Sequence, residues 1–201
     1  MTRPPSFWRD QRGVTAIEWA ILAPLLFVTV LGGFDAGLYM WRWNEAVQAA
    51  RIGVRIAAVS DPVSADLKTM TGLETSVQSG QPAGTYERVC TGGTCTGGGT
   101  YDAAAMSNIF YGPQGTDCVS GSSRLTTGMC DVFTPLETGN VTVIYRNSGV
   151  DTAGVPGALR PLVTVRISDA RPKLVMFGRF LPTTLPVTEM TMLAEDLRST
   201  A

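Results

Sequence analysis

The chain has 201 residues, 44% of them hydrophobic and only 16% charged. That allows one ordinary domain plus a membrane segment, but not two full soluble domains. Net charge is -1, and setting aside the first 13 residues (Arg3, Arg9 and Arg12 against Asp10, net +2) leaves -3, so no cationic surplus exists to attract nucleic acid. There is no histidine, which removes the commonest general base and the commonest metal ligand together.

Residues 1–13 carry three arginines and two prolines with no helical period, and read as a basic leader. At Val14 the composition changes to a near-continuous apolar run ending at Phe34, about 21 residues, long enough to cross roughly 30 Å of hydrocarbon as a helix. Arginines before the run and none directly after it predict a cytoplasmic N-terminus and a periplasmic or outer-face body. An ordinary secretory signal is the simpler alternative. Against it, the run exceeds the roughly 7–15 residues of a signal core, and no small-x-small cleavage pattern follows.

Glu18 is the one charge inside the run. A carboxylate in a membrane helix costs on the order of 2–3 kcal/mol, which implies a partner. A cut after Gly13 would create one, the α-amino group of Val14, one to two turns away on the same chain or on a neighbour. Gly13, with no side chain, lets a protease reach the backbone and lets the chain leave helical geometry there.

The segment Gly13-Val14-Thr15-Ala16-Ile17-Glu18-Trp19 resembles the processing site of type IV pilins: glycine, four residues, glutamate, then an aromatic. The wider stretch from Arg12 through Pro24 to Ala49-Ala50-Arg51-Ile52-Gly53-Val54-Arg55-Ile56-Ala57 resembles TadE-like minor pseudopilins of Tad (Flp) pilus systems. Trp19 stands where that family more often has Phe or Tyr. The resemblance implies cleavage between Gly13 and Val14 by a prepilin peptidase and docking through Glu18 and Trp19. It also implies partners among other minor pseudopilins and the assembly platform at the inner membrane. The peptidase would be the catalyst and this chain its substrate, so no catalytic residue and no cofactor are expected.

From Ala36 to Val59 there is no proline, and good helix formers dominate. Leu38, Trp41, Val47, Ala50, Val54 and Ala57 form an apolar stripe, with Arg42, Glu45, Gln48, Arg51 and Arg55 elsewhere. Asp61-Pro62 should end the helix. Residues 14–60 are therefore predicted to be a transmembrane and stem helix. Pro24 is expected to kink or open it, and Gly33 with Gly37 form a GxxxG able to admit a second helix. Trp41 and Trp43, with Arg42, suit either a membrane interface or core contacts.

Residues 61–139 are glycine-rich and read as a loop-rich region with short helices within 64–79 and 102–110. The glycine run at 92–99 lacks the GK[ST] ending of a phosphate loop and reads instead as a flexible, disulfide-pinned loop. Cys90, Cys95, Cys118 and Cys130 are spaced poorly for zinc, so no metal site is expected. In an oxidising compartment they should form two disulfides. Three pairings are possible, and sequential pairing closes the shortest loops.

From residue 140 the pattern alternates. Val141, Val143 and Tyr145, then Val163, Val165 and Ile167, mark half-buried strands, and 187–193 is a weaker third. Residues 140–201 should thus complete a small antiparallel sheet on the outer stem, giving an α+β, pilin-like architecture. Residues 174–181 are apolar on both alternating faces and suit a buried strand or an interaction loop. The expected molecule is a single-pass inner-membrane subunit with a periplasmic head, able to be carried into an extracellular pilus. The alternatives are a type II secretion minor pseudopilin and an exported, signal-anchored binding or enzymatic domain.

Overall fold

A single helix, α1 (Arg12–Val59, 48 residues), dominates the molecule. At 1.5 Å per residue it is about 70 Å long. The computed structural model describes residues 12–113, 115–119, 127–154, 159–175 and 184–194, and for Arg12, Val14 and Thr15 only the backbone. Residues 1–11 of the expected leader lie outside that set. α1 continues through Pro24. Five residues on, the Thr29 hydroxyl donates to the carbonyls of Leu25 and Leu26 at 3.0 and 2.9 Å, giving those groups an additional polar partner. The helix stops just before Asp61-Pro62, where proline disfavours helical backbone in the residue ahead of it.

The head is a five-stranded antiparallel sheet in the order β2-β1-β3-β4-β5. Its strands are β1 (Glu87–Thr91), β2 (Thr94–Thr96), β3 (Val141–Arg146), β4 (Leu162–Ile167) and β5 (Thr188–Leu193). Two short helices, α2 (Ala103–Tyr111) and α3 (Met129–Val132), join β4 and β5 in packing against α1. The α+β reading with a long stem helix on a small sheet therefore holds, as do the three strands after residue 140 and the short helix near 102–110.

The sheet is not confined to the C-terminal part. A hairpin, β1–β2, comes from the glycine-rich region, with Cys90 opposite Cys95 and Val89 opposite Ile144 of β3. Gly92 and Gly93 are its turn, both at positive φ (55° and 90°). A two-residue turn of this kind suits the twist of paired strands and needs left-handed backbone at both positions. The loop expected there is an ordered hairpin tip. Between 64 and 79 the expected short helix is two single turns, Ala65–Lys68 and Leu73–Thr75.

Alternation sorts the strand side chains. Val141, Val143, Tyr145, Val163, Val165 and Ile167 are buried in the core. On the other face cross-strand pairs form between Glu87 and Arg146 (3.0 Å), between Arg166 and Glu189, and between Thr164 and Thr191 (2.8 Å). The Tyr145 hydroxyl accepts the Val63 backbone N–H at 2.9 Å, fastening the chain just beyond α1 to the central strand. Burial pushes that hydroxyl well above its ordinary pKa, so it stays neutral.

Both disulfides are sequential, Cys90–Cys95 across the hairpin and Cys118–Cys130 between α3 and the loop before it. Lys68 bridges Asp61 (3.1 Å) and Asp102 (3.0 Å), and Asp102 caps α2 by accepting from Ala104 and Ala105 N–H. Together these ties hold the part of the head poorest in apolar residues.

Candidate assembly site on the stem helix

α1 divides into two parts at Asp35. From Ile17 to Phe34 its large apolar side chains are exposed, Trp19 at 71% and Phe27 at 62%, and no other described part of the chain covers them. Asp35 is 2% exposed and begins the head-covered part. Among the described residues α1 is the one helix long and apolar enough to cross a membrane. Its uncovered length is the length that lipid or other helices would cover.

The candidate processing residues lie at the start of this uncovered part. Gly13 falls within the first turn of α1, not outside helical geometry as its flexibility suggested. A Cβ there would meet nothing within 4 Å. Val14 and Glu18 are four residues apart, so the backbone nitrogen of Val14 and the side chain of Glu18 share one side of the helix, about 6 Å apart along its axis. Glu18 and Trp19 are both exposed. Helical phase thus aligns the expected amine and carboxylate at the start of α1.

Beyond Asp35 the head-facing side of α1 is built from small residues. Ala46, Ala49, Ala50, Gly53, Val54, Ala57 and Ala58 are buried, which lets sheet and α3 approach the helix backbone closely. At Gly53 the approach is tightest: a Cβ would lie 2.3 Å from the Sδ of Met129 in α3. The stripe expected from the sequence is shifted from this face. Ala50, Val54 and Ala57 belong to it, Leu38 and Val47 are half-buried, and Trp41 is 67% exposed. Trp41 instead donates through Nε1 to Glu45 (2.7 Å), which also pairs with Arg42 (2.8 Å). Trp43 is exposed too, so neither tryptophan is a core contact.

Gly33 and Gly37 do not serve the head. Gly37 is nine residues from Ala46, half a turn out of phase with it, and a Cβ at either glycine meets nothing within 4 Å. Their open backbone faces away from everything described in this chain.

Asp35 and Tyr39 escaped the sequence reading. Asp35 accepts the Val175 backbone N–H at 2.9 Å, and the Tyr39 hydroxyl donates to the Thr184 carbonyl at 3.2 Å. The signal was phase: Asp35, Tyr39, Ala46, Gly53 and Ala57 are separated by 4, 7, 7 and 4 residues, each step returning to one side of a helix. Of the segment expected as strand or loop, Leu174 is half-buried and Val175 exposed, and 176–181 lie outside the described residues.

Residues 13–55 match the family model of TadE-like proteins. The stem is TadE-like. That match makes the stem segment, about a fifth of the chain, similar to TadE-like proteins of Tad pilus systems. It spans the candidate cleavage glycine, the uncovered helix, Asp35 and the buried small residues up to Val54, and it leaves the sheet outside. No curated protein and no solved structure matches the chain. Among the described residues no cluster of three or more metal-ligating side chains occurs.

Proposed function

We propose that the chain is a minor pseudopilin, a structural subunit that helps initiate or build a Tad-type pilus after a prepilin peptidase cuts between Gly13 and Val14. One observation carries the reading: Gly13 and Glu18 lie within the first two turns, both exposed, of a TadE-like, membrane-length helix. The cut removes the basic leader and frees the amine of Val14, which neutralises Glu18 at a depth where an unpaired carboxylate is costly. Gly33 and Gly37 give a neighbouring helix access to the backbone. The N-terminus is cytoplasmic and the head periplasmic, where the two disulfides form. The chain is a substrate and building block, not an enzyme.

The test is processing. Co-expressed with its peptidase, the wild-type chain should lose about 13 residues at the membrane. Gly13→Trp should block that loss, and Glu18→Gln should leave processing intact while lowering capture of other pilus components by crosslinking. A wild-type chain that is never shortened refutes the reading.

A further inference from the structure

We propose that the base of the head docks on the bilayer surface from which α1 emerges, with Val175 entering the interface and Arg171 and Lys173 contacting lipid phosphates. This rests on the reading that α1 spans the membrane.

The placement follows from α1. The uncovered apolar stretch ends at Phe34, and the next residue, Asp35, is the one that holds Val175. One turn further, Tyr39 holds Thr184. These two hydrogen bonds fix the connection between β4 and β5 at the level where the helix leaves the hydrocarbon. Residues 176–183 lie outside the described set and are not needed for the placement.

The chemistry at that level suits a lipid surface. Val175 is 65% exposed and Val187, on the approach to β5, is 59% exposed, although nearby Leu185 is buried. Arg171 and Lys173 are exposed and precede Val175 by four and two residues. Glu137 and Asp169 line the same groove as these two bases. Between Asp169 and Glu189 the sequence holds no acidic residue and three basic ones, Arg171, Lys173 and Arg179. Apolar side chains flanked by cations at a helix exit match the interfacial zone, where aliphatic groups enter the acyl boundary and cations meet phosphates. Docking would fix the head's tilt on the membrane before assembly.

Depth-dependent quenching tests this. Both described disulfides leave no free thiol, so a single introduced cysteine can carry an environment-sensitive dye. Full-length Val175→Cys, Phe27→Cys and Val59→Cys would be labelled and reconstituted in phosphatidylcholine vesicles carrying a shallow nitroxide lipid. Val59 lies 24 residues beyond Asp35, about 36 Å along the helix, and serves as the aqueous control. The expected result is nitroxide quenching at Val175 at least about twofold above that at Val59, with iodide quenching reduced to a similar extent.

Adding about 30% phosphatidylglycerol should strengthen docking, and Arg171→Gln with Lys173→Gln should remove that gain, roughly fivefold per charge. Equal quenching at Val175 and Val59, with Phe27 quenched by lipid, overturns the docking alone. Absence of lipid quenching at Phe27 overturns the membrane-spanning reading beneath it. Shielding of Val175 that arises only when another pilus protein is added also overturns the inference.

Discussion

Alanine placed at two glycines of the same helix should give opposite results, and Gly53 decides the case. In an exposed helix Gly→Ala stabilises by about 1 kcal/mol through propensity alone. At Gly53 the new Cβ would sit 2.3 Å from Met129 Sδ and 2.8 Å from its Cγ, with Met129 fully buried. The thioether cannot withdraw into open space, and the disulfide at Cys130, one residue on, restrains α3. Overpacking of this kind costs about 1–3 kcal/mol. The net for Gly53→Ala is then destabilisation of up to about 2 kcal/mol, or a Tm lower by up to about 8 °C for a chain this size. Gly53→Val, which forgoes the propensity gain, should cost more. Gly37→Ala, with nothing within 4 Å, should be neutral or stabilising in the isolated subunit. Thermal unfolding of the full chain in detergent reads all three. A double-mutant cycle with Met129→Ala closes the argument. That substitution alone should cost about 2–5 kcal/mol, and in its background Gly53→Ala should become neutral or favourable. If Gly53→Ala raises Tm as Gly37→Ala does, with no coupling to Met129, the close approach of α3 is not what requires glycine there.

Other positions give independent checks. Tyr145→Phe leaves the buried Val63 N–H without its acceptor and should cost about 1–3 kcal/mol in denaturant unfolding, with Leu at the same position no better. Burial raises the Asp102 pKa, but the N–H groups of Ala105 and Ala104 and the Lys68 ammonium outweigh it and leave the net value lowered. A lowered folded pKa gives stability that is present above the unfolded value and lost as pH falls through the folded one. Unfolding below about pH 4 should therefore be shallower in Asp102→Asn than in wild type, because wild type has this increment to lose. Opening Cys118–Cys130 by paired serine substitution should cost about 3 kcal/mol and opening Cys90–Cys95 about 2, since the first closes the longer loop (sequence separation 12 against 5), measured by guanidinium unfolding. Asp35→Ala should release the Val175 amide to fast hydrogen exchange while exchange in β3 is unchanged.

Local chemistry made most of this legible. The membrane run, the Asp61-Pro62 stop, the alternating strands after residue 140 and the short-loop disulfides follow from rules that act within a few residues. The misses share a different cause. Trp41 falls on the apolar stripe by its helical spacing, but the stem buries small residues instead, since the sheet and α3 come close to its backbone. The hairpin at 87–96 was hidden because glycine density suggested flexibility, whereas Gly92-Gly93 between alternating residues is a turn that pairs strands. Asp35 was hidden inside a glycine motif, and its partner lies 140 residues away. What the sequence could not supply was long-range phase, the alignment of one helix with partners far along the chain.

That phase separates two kinds of small residue on one helix. Gly53 and the buried alanines are explained within the chain, because a Cβ at Gly53 strikes Met129 and the alanines are enclosed by the head. Gly13, Gly33 and Gly37 have no such explanation, since a Cβ at each meets nothing. Glycine in a helix interior costs about 1 kcal/mol relative to alanine, so Gly33 and Gly37, at the end of the uncovered stretch and just beyond it, carry an intrinsic penalty. Nothing described in the isolated fold offsets it. The same stretch exposes Trp19, Phe27 and Phe34, which water does not tolerate as a continuous surface. Lipid accounts for the aromatics but not for the glycines, because hydrocarbon has no need of a bare backbone. A protease at Gly13 and a second helix at Gly33 and Gly37 would need one. The assembly reading is therefore strongest where the fold is least self-sufficient.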